Sequence, residues 1–129
     1  MQDDTQAVKA AAAGLVEAFG RHDRDAYFAA FAPDASFIFH NMDRRLENRA
    51  AYEAEWDLWV ARDGFHVNGC RSSGGHVQFA GPVAIFTHVV ETDLSMGGET
   101  MTNRERETIV FEKRDGRWLA VHEHLSTFS

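Results

Sequence analysis

The hydrophobic period of this chain changes for good at Asp63-Gly64, and no other feature limits its fold so sharply. Before that point apolar residues recur mainly at helical spacing; after it they alternate as strands do. Residues 5–21 set Val8, Ala11, Leu15, Ala18 and Phe19 on one helical stripe, with Lys9, Glu17 and Arg21 off it. Asp23 suits the N-cap of a short second helix. Its buried side is Tyr27, Phe28 and Phe31, and Pro33 ends it because proline cannot continue the hydrogen-bond ladder. Ala35–His40, rich in Phe and Ile, reads as a strand, and Asn41–Leu46 as a turn with a short strand. Asn48 caps a third helix running to Arg62, on which Tyr52, Trp56, Trp59 and Val60 form one stripe.

Strands fill the rest. Residues 65–79 form a long one, in which Gly69, Gly74 and Gly75 signal bulges or a sharp bend. Residues 82–95 follow the Gly81-Pro82 turn, residues 100–113 the Gly97-Gly98 hairpin, and residues 117–128 the Arg114-Asp115-Gly116 turn. The order α-α-β-α-β-β-β-β predicts one α+β domain over residues 1–129, a mainly antiparallel sheet curled around three N-terminal helices.

Composition excludes several functions. The 129 residues carry 20 acidic against 13 basic side chains, a net charge of −7. That balance argues against a nucleic-acid surface, which needs clustered Lys and Arg. Apolar runs are far shorter than a membrane span. Cys70 stands alone, so no intrachain disulfide and no cysteine metal cage can form, and a reduced, cytoplasmic setting is expected.

The last third carries a recognisable pattern. Glu107-Thr108-Ile109-Val110-Phe111, then Lys113-Arg114-Asp115-Gly116-Arg117-Trp118, then Val121-His122-Glu123-His124-Leu125-Ser126 resembles a SnoaL-like domain. It is similar, more closely, to the association domain of calcium/calmodulin-dependent kinase II; both belong to the nuclear transport factor 2-like superfamily. The resemblance implies a cone-shaped fold with a pocket between the curled sheet and the helices, and a homodimer formed sheet against sheet. The association domain holds buried arginines in that pocket. The matching positions here are Val89, Ile109 and Leu125, so its carboxylate ligands are not expected. Ketosteroid isomerases share the fold and use an Asp base early in the sheet. The comparable stretch Phe37-Ile38-Phe39-His40 has no acid, so that mechanism does not carry over.

Which side chains face the pocket depends on the last hairpin. A two-residue turn would pair Ile109 with His122 and make His122 and His124 pocket candidates. A three-residue turn pairs Phe111 with Leu119, Ile109 with Val121 and Glu107 with Glu123, which gathers apolar pairs on one face. The second register is the expectation adopted here. With Val89 and Glu91 also turned inward, Glu91, Glu107 and Glu123 rim an apolar cavity lined by Phe19, Tyr27, Phe31 and Trp56. Opposed carboxylates repel, so one should hold a proton, the property a general acid or base needs near neutral pH. Pairing of these glutamates with Arg104 and Arg106 at a wet sheet edge is the alternative. The outer face would then read Trp118, Ala120, His122, His124 and Ser126, suited to a dimer contact; His122 and His124, with His88, also offer a weaker metal pattern.

The expectation is therefore a homodimer without metal or cofactor that binds a small, largely apolar molecule. By the resemblance, its chemistry is that of an isomerase, cyclase or dehydratase acting by proton transfer. Glu107 or Glu123 is the base, and Tyr27 or a His the donor. The alternative is a non-catalytic association module. Neither a nucleic acid nor a membrane is expected as partner.

Overall fold

The computed structural model describes residues 2–128. Its elements are α1 (Gln2–Gly20), α2 (Arg24–Ala29), β1 (Phe31–Phe39), α3 (Arg49–Asp63), β2 (His66–Ala80), β3 (Val83–Met96), β4 (Glu99–Arg114) and β5 (Arg117–Thr127). The five strands lie in the order β1-β5-β4-β3-β2, antiparallel except for the parallel β1–β5 pair. β1 and β2 are the free edges, so the curled sheet stays unclosed. The expected α+β architecture and element order are observed.

Local chemistry sets the helix ends. The Asp23 carboxylate accepts from the Ala26 amide at 3.3 Å, and the Asn48 side chain from the Ala51 amide at 2.8 Å. Gly64 closes α3 at φ 66°, a left-handed conformation that glycine adopts without cost to a side chain. α1 buries Val8, Ala12, Leu15 and Ala18, one stripe laid across the sheet. On α3 the buried residues are Tyr52 and Trp56; Val60, expected on that stripe, is exposed. Pro33 does not end α2, which stops at Ala29; it lies inside β1, where an edge strand has no partner for the missing N–H. The bulges expected in β2 occur between Val67 and Gly69 and between Ser73 and His76.

The last hairpin follows neither expected register. Asp115 and Gly116 both have positive φ, 50° and 78°, and make a two-residue turn. Arg114 faces Arg117 and Phe111 faces Ala120; the pairing then slips, so that Val110 faces His122 and Ile109 faces Glu123. Val121 is the extra residue of a bulge. It turns Trp118 and Ala120 inward, where the sequence reading had put them outside, and leaves His122 and His124 on the outer face. Glu107 therefore faces Leu125, and Glu123 is its diagonal neighbour rather than its direct partner.

β3 corrects a second expectation. Its buried residues are Ala84, Phe86, His88, Val90, Thr92 and Leu94. Val89 and Glu91 thus point out of the sheet's other face, because Val89 pairs with the outward Arg106 and Glu91 with Arg104. Glu91 lies there between Arg71 and Arg104, 3.7 Å from each.

Candidate functional site

Glu107 on β4 and Glu123 on β5 are both buried, at 6% and 2% exposure, and share a side-chain hydrogen bond. Strand alternation carries them inward beside Ile109 and Phe111. Among the described residues neither carboxyl has a Lys or Arg partner. Glu107 Oε1 instead contacts His88 Nε2 at 2.6 Å, and His88 Nδ1 contacts Ser72 Oγ at 2.6 Å. Glu123 Oε1 accepts from the Tyr27 hydroxyl at 3.3 Å, and the Tyr27 and Tyr52 hydroxyls lie 3.0 Å apart. Four strands and two helices so contribute to one polar chain: Ser72, His88, Glu107, Glu123, Tyr27, Tyr52.

Burial governs its protonation. Desolvation pushes Glu107 up to about 7, and desolvation together with the neighbouring Glu107 holds Glu123 well above the usual carboxylate range. Desolvation brings His88 down to about 4. The 2.6 Å imidazole–carboxyl contact has the spacing of an ion pair, but the charged forms are disfavoured at both ends. It is a hydrogen bond to a neutral imidazole, since removing two charges from water without further counter-charges costs more than their attraction returns. Both buried tyrosines are raised as well, by desolvation first, and remain phenols. Near neutral pH the site holds one carboxylic acid, one carboxyl poised to gain or lose a proton, and phenol donors.

The pair sits at the foot of a small cavity of about 50 Å³, walled by Leu15, Phe19, Tyr27 and Leu125. A wider opening of about 100 Å³ continues it past Trp59, Asn41 and Asn103, sharing Phe19, Tyr52, Thr92, Glu105 and Leu125. The two make a funnel, apolar on its sides and acidic at its base. Glu105 stands at the junction, 2.5 Å from His40 Nε2. Cys70 also lines the cavity, but burial pushes its thiol up to about 11, which keeps it a poor nucleophile.

Of the residues expected at the pocket, Phe19, Tyr27, Glu107, Glu123 and Leu125 line it. Phe31, Trp56 and Ile109 are core, each exposed by 1% or less; Trp56 packs against the Tyr27 and Tyr52 rings and holds them in place. Val89 and Glu91 are on the other face of the sheet. His122 bonds Ser36 at 2.9 Å on that outer face, and His124 beside it is exposed, so neither reaches the pocket. No group of three or more His, Cys, Asp or Glu among the described residues is arranged to hold a metal ion. Tyr52 was missed as a site residue, and His88 was weighed only as a metal ligand beside His122 and His124. For His88 the signal was its parity with Ala84, Phe86, Val90 and Leu94, which sets it on the apolar face of β3.

A curled sheet over helices with a funnel at its open end defines a pocket-bearing α+β class, and the comparisons place the chain within it. The SnoaL-like domain model matches residues 8–129, so the chain belongs to that family. A ketosteroid isomerase-like protein from Erwinia carotovora atroseptica superposes with TM-score 0.82 at 17% identity, covering 100% of this chain and 99% of its own. A scytalone dehydratase candidate from Novosphingobium aromaticivorans gives 0.82 at 16%, covering 100% and 89%. A candidate calcium/calmodulin-dependent kinase II association domain from Xanthomonas campestris gives 0.70 at 20%, covering 97% and 86%. Identities this low establish a shared fold. No curated protein matches the sequence.

Proposed function

We propose that the funnel binds a small, largely apolar carbonyl compound and that the buried carboxyl pair moves a proton on it, as an isomerase or dehydratase does. The observation that carries this is the Glu107–Glu123 pair itself, buried at the foot of a cavity with a phenol beside it and, among the described residues, no Lys or Arg partner. Glu107, up at about 7, takes the proton from the carbon next to the carbonyl. Glu123 keeps its proton and, with Tyr27, donates hydrogen bonds to the carbonyl oxygen as negative charge grows there. A protonated carboxyl beside a phenol is a known way to stabilise an enolate in an apolar site. The narrow cavity favours ligands below the roughly 300–1,000 Å³ that drug-sized molecules occupy. The fold shared with a ketosteroid isomerase-like protein and a dehydratase candidate agrees with this class of chemistry. The single half-buried Cys70 fits a reducing, cytoplasmic setting.

The test is hydrogen–deuterium exchange at the α-carbon of small cyclic ketones in deuterium oxide, followed by NMR. Wild-type protein should catalyse it, and Glu107→Gln should lower the rate roughly 100-fold or more. Equal exchange by the two proteins, or none by either across the ketone panel, overturns the reading.

A second property rests on a different observation. The outer face carries half-buried Ile85, Val89, Val110, Leu119 and Val121, an apolar strip suited to a second copy of the chain. A homodimer through this face makes the protein an association module whether or not the pocket is catalytic. Light scattering at micromolar concentration should give twice the chain mass, and Val110→Glu should halve it. A wild-type monomer rejects the dimer.

A further inference from the structure

The funnel is not the only approach to the carboxyl pair. β2 is an edge strand, and it bulges between Ser73 and His76, opposite His88. Gly74 there has φ 65°, and a Cβ on Gly75 would stand 3.1 Å from the Phe86 ring, so the bulge depends on glycine. The pairing breaks just beyond Ser72, whose hydroxyl lies 2.6 Å from His88 Nδ1. Ser72 is exposed and lines a groove of about 510 Å³ between α1 and β2, whereas the His88 side chain has 0% exposure. The groove and the cavity share Val16 and Cys70 in their walls, so a thin partition separates them.

We propose that Ser72 and His88 form a proton relay between this groove and Glu107, a second route to the buried acids that stays open while the funnel is occupied. The inference rests on the reading of Glu107 as the proton-transferring group. Release runs in three concerted transfers. The Glu107 O–H bond breaks as an N–H bond forms at His88 Nε2. The Nδ1–H bond of His88 breaks as an O–H bond forms at Ser72 Oγ. The original Ser72 hydroxyl proton passes to water in the groove. Glu107 ends as the carboxylate, His88 as its other neutral tautomer, Ser72 unchanged, and one hydronium leaves. Uptake is the reverse. The two 2.6 Å contacts on opposite ring nitrogens are what such a relay requires, because an imidazole passes a proton by taking one on one nitrogen and losing one from the other.

The other titratable groups facing this chain are Glu105, Glu123, Tyr27, Tyr52 and Cys70, with Lys9 and Glu17 across the groove. The tyrosines and Cys70 hold their protons through the neutral range, and Glu105 is bonded to His40. None of them bridges Glu107 to the groove.

Two measurements on the ligand-free protein test the relay. The first follows the ring nitrogens of His88 by ¹⁵N NMR through the Glu107 titration. Nδ1 should carry the proton on the acid side and Nε2 on the alkaline side; one fixed tautomer throughout overturns the proposal. The second is a jump from about pH 5 to about pH 8, with the carboxylic-acid infrared band as readout. Ser72→Ala, a change at an exposed position, should slow loss of that band roughly tenfold or more and leave its final amplitude unchanged. An unchanged rate overturns the relay. His88→Gln, which keeps a polar side chain but cannot change tautomer, should behave as Ser72→Ala does. A panel of ketones that neither bind nor exchange would remove the proposed reaction and leave both of these results standing.

Discussion

Two groups of acids lie back to back on β3, β4 and β5. On the outer face Asp93 holds Arg71 at 2.8 Å and accepts from Thr102 at 2.7 Å, and the Arg71 hydrogen bond brings its carboxyl down to about 2. On the inner face Glu107 has no Lys or Arg partner among the described residues, and burial takes it up to about 7. The side chains have the same chemistry and the strands are shared; only the parity of the position differs. A pleated strand thus sorts acids into solvated ions and buried proton carriers by one residue's step. The first kind contributes little to stability, while the second burdens the fold and can exchange a proton near neutral pH.

Four substitutions probe that contrast. The largest effect belongs to Glu107→Gln. The folded pKa of Glu107 exceeds its ordinary 4.5, so its contribution to stability is full below that value and is lost as pH rises towards about 7. Glutamine does not titrate, so urea unfolding should show the variant gaining roughly 3 kcal/mol on wild type between acid and alkaline pH. The comparison must be made against wild type at each pH. His88, with a depressed folded pKa, imposes the opposite slope, losing stability as pH falls from 6.5 through about 4. A constant difference between variant and wild type would mean that folding does not shift the Glu107 pKa.

His88→Leu comes next. It removes the imidazole that both Glu107 and Ser72 contact, leaving the buried Glu107 carboxyl with Glu123 alone, and should cost about 2 kcal/mol at neutral pH. The same urea experiment checks it, and a neutral result would show that His88 does not satisfy the carboxyl. Tyr52→Phe removes one hydroxyl from the far end of the chain and should cost about 1 kcal/mol, read as a lower denaturation midpoint. Asp93→Asn should be the mildest. Its depressed pKa confines any contribution to pH above about 2, and solvent screens the pair, so the midpoint at neutral pH should not move measurably.

Legibility in the sequence followed the same division. The elements were plain because Val8, Leu15 and Ala18 keep helical period, and because glycines mark the breaks in β2. Glu107 was legible since its neighbours on β4 alternate strictly, with Ile109 and Phe111 inward and Arg106 outward. β3 was not, because Val83, Ile85 and Val89 make its outer face as apolar as the Ala84, Phe86 and Val90 face. A strand apolar on both sides has no phase to read, and choosing Val89 hid His88. β5 failed for another reason. A bulge at a β-branched residue such as Val121 leaves no compositional mark, unlike one at glycine. The aromatic residues Phe31 and Trp56 were expected at the pocket but complete the core. Spacing places a residue on a helix face without giving its depth.

The extra residue at Val121 acts on β5 as a frameshift acts on a message. Everything on the turn side is read in one phase, everything beyond it in the other. Trp118 and Glu123, five positions apart and otherwise on opposite faces, are thereby both turned inward. Removing Val121 would restore a single phase along the strand. With the tip held by its turn, Ala120 would still face Phe111 and His122 still face Val110, so Glu123 would keep its inward aim and the strand would lose only its local kink. One deletion would then change how β5 bends beneath the cavity while sparing the acid at its foot, a route by which this scaffold can reshape its pocket without changing its fold.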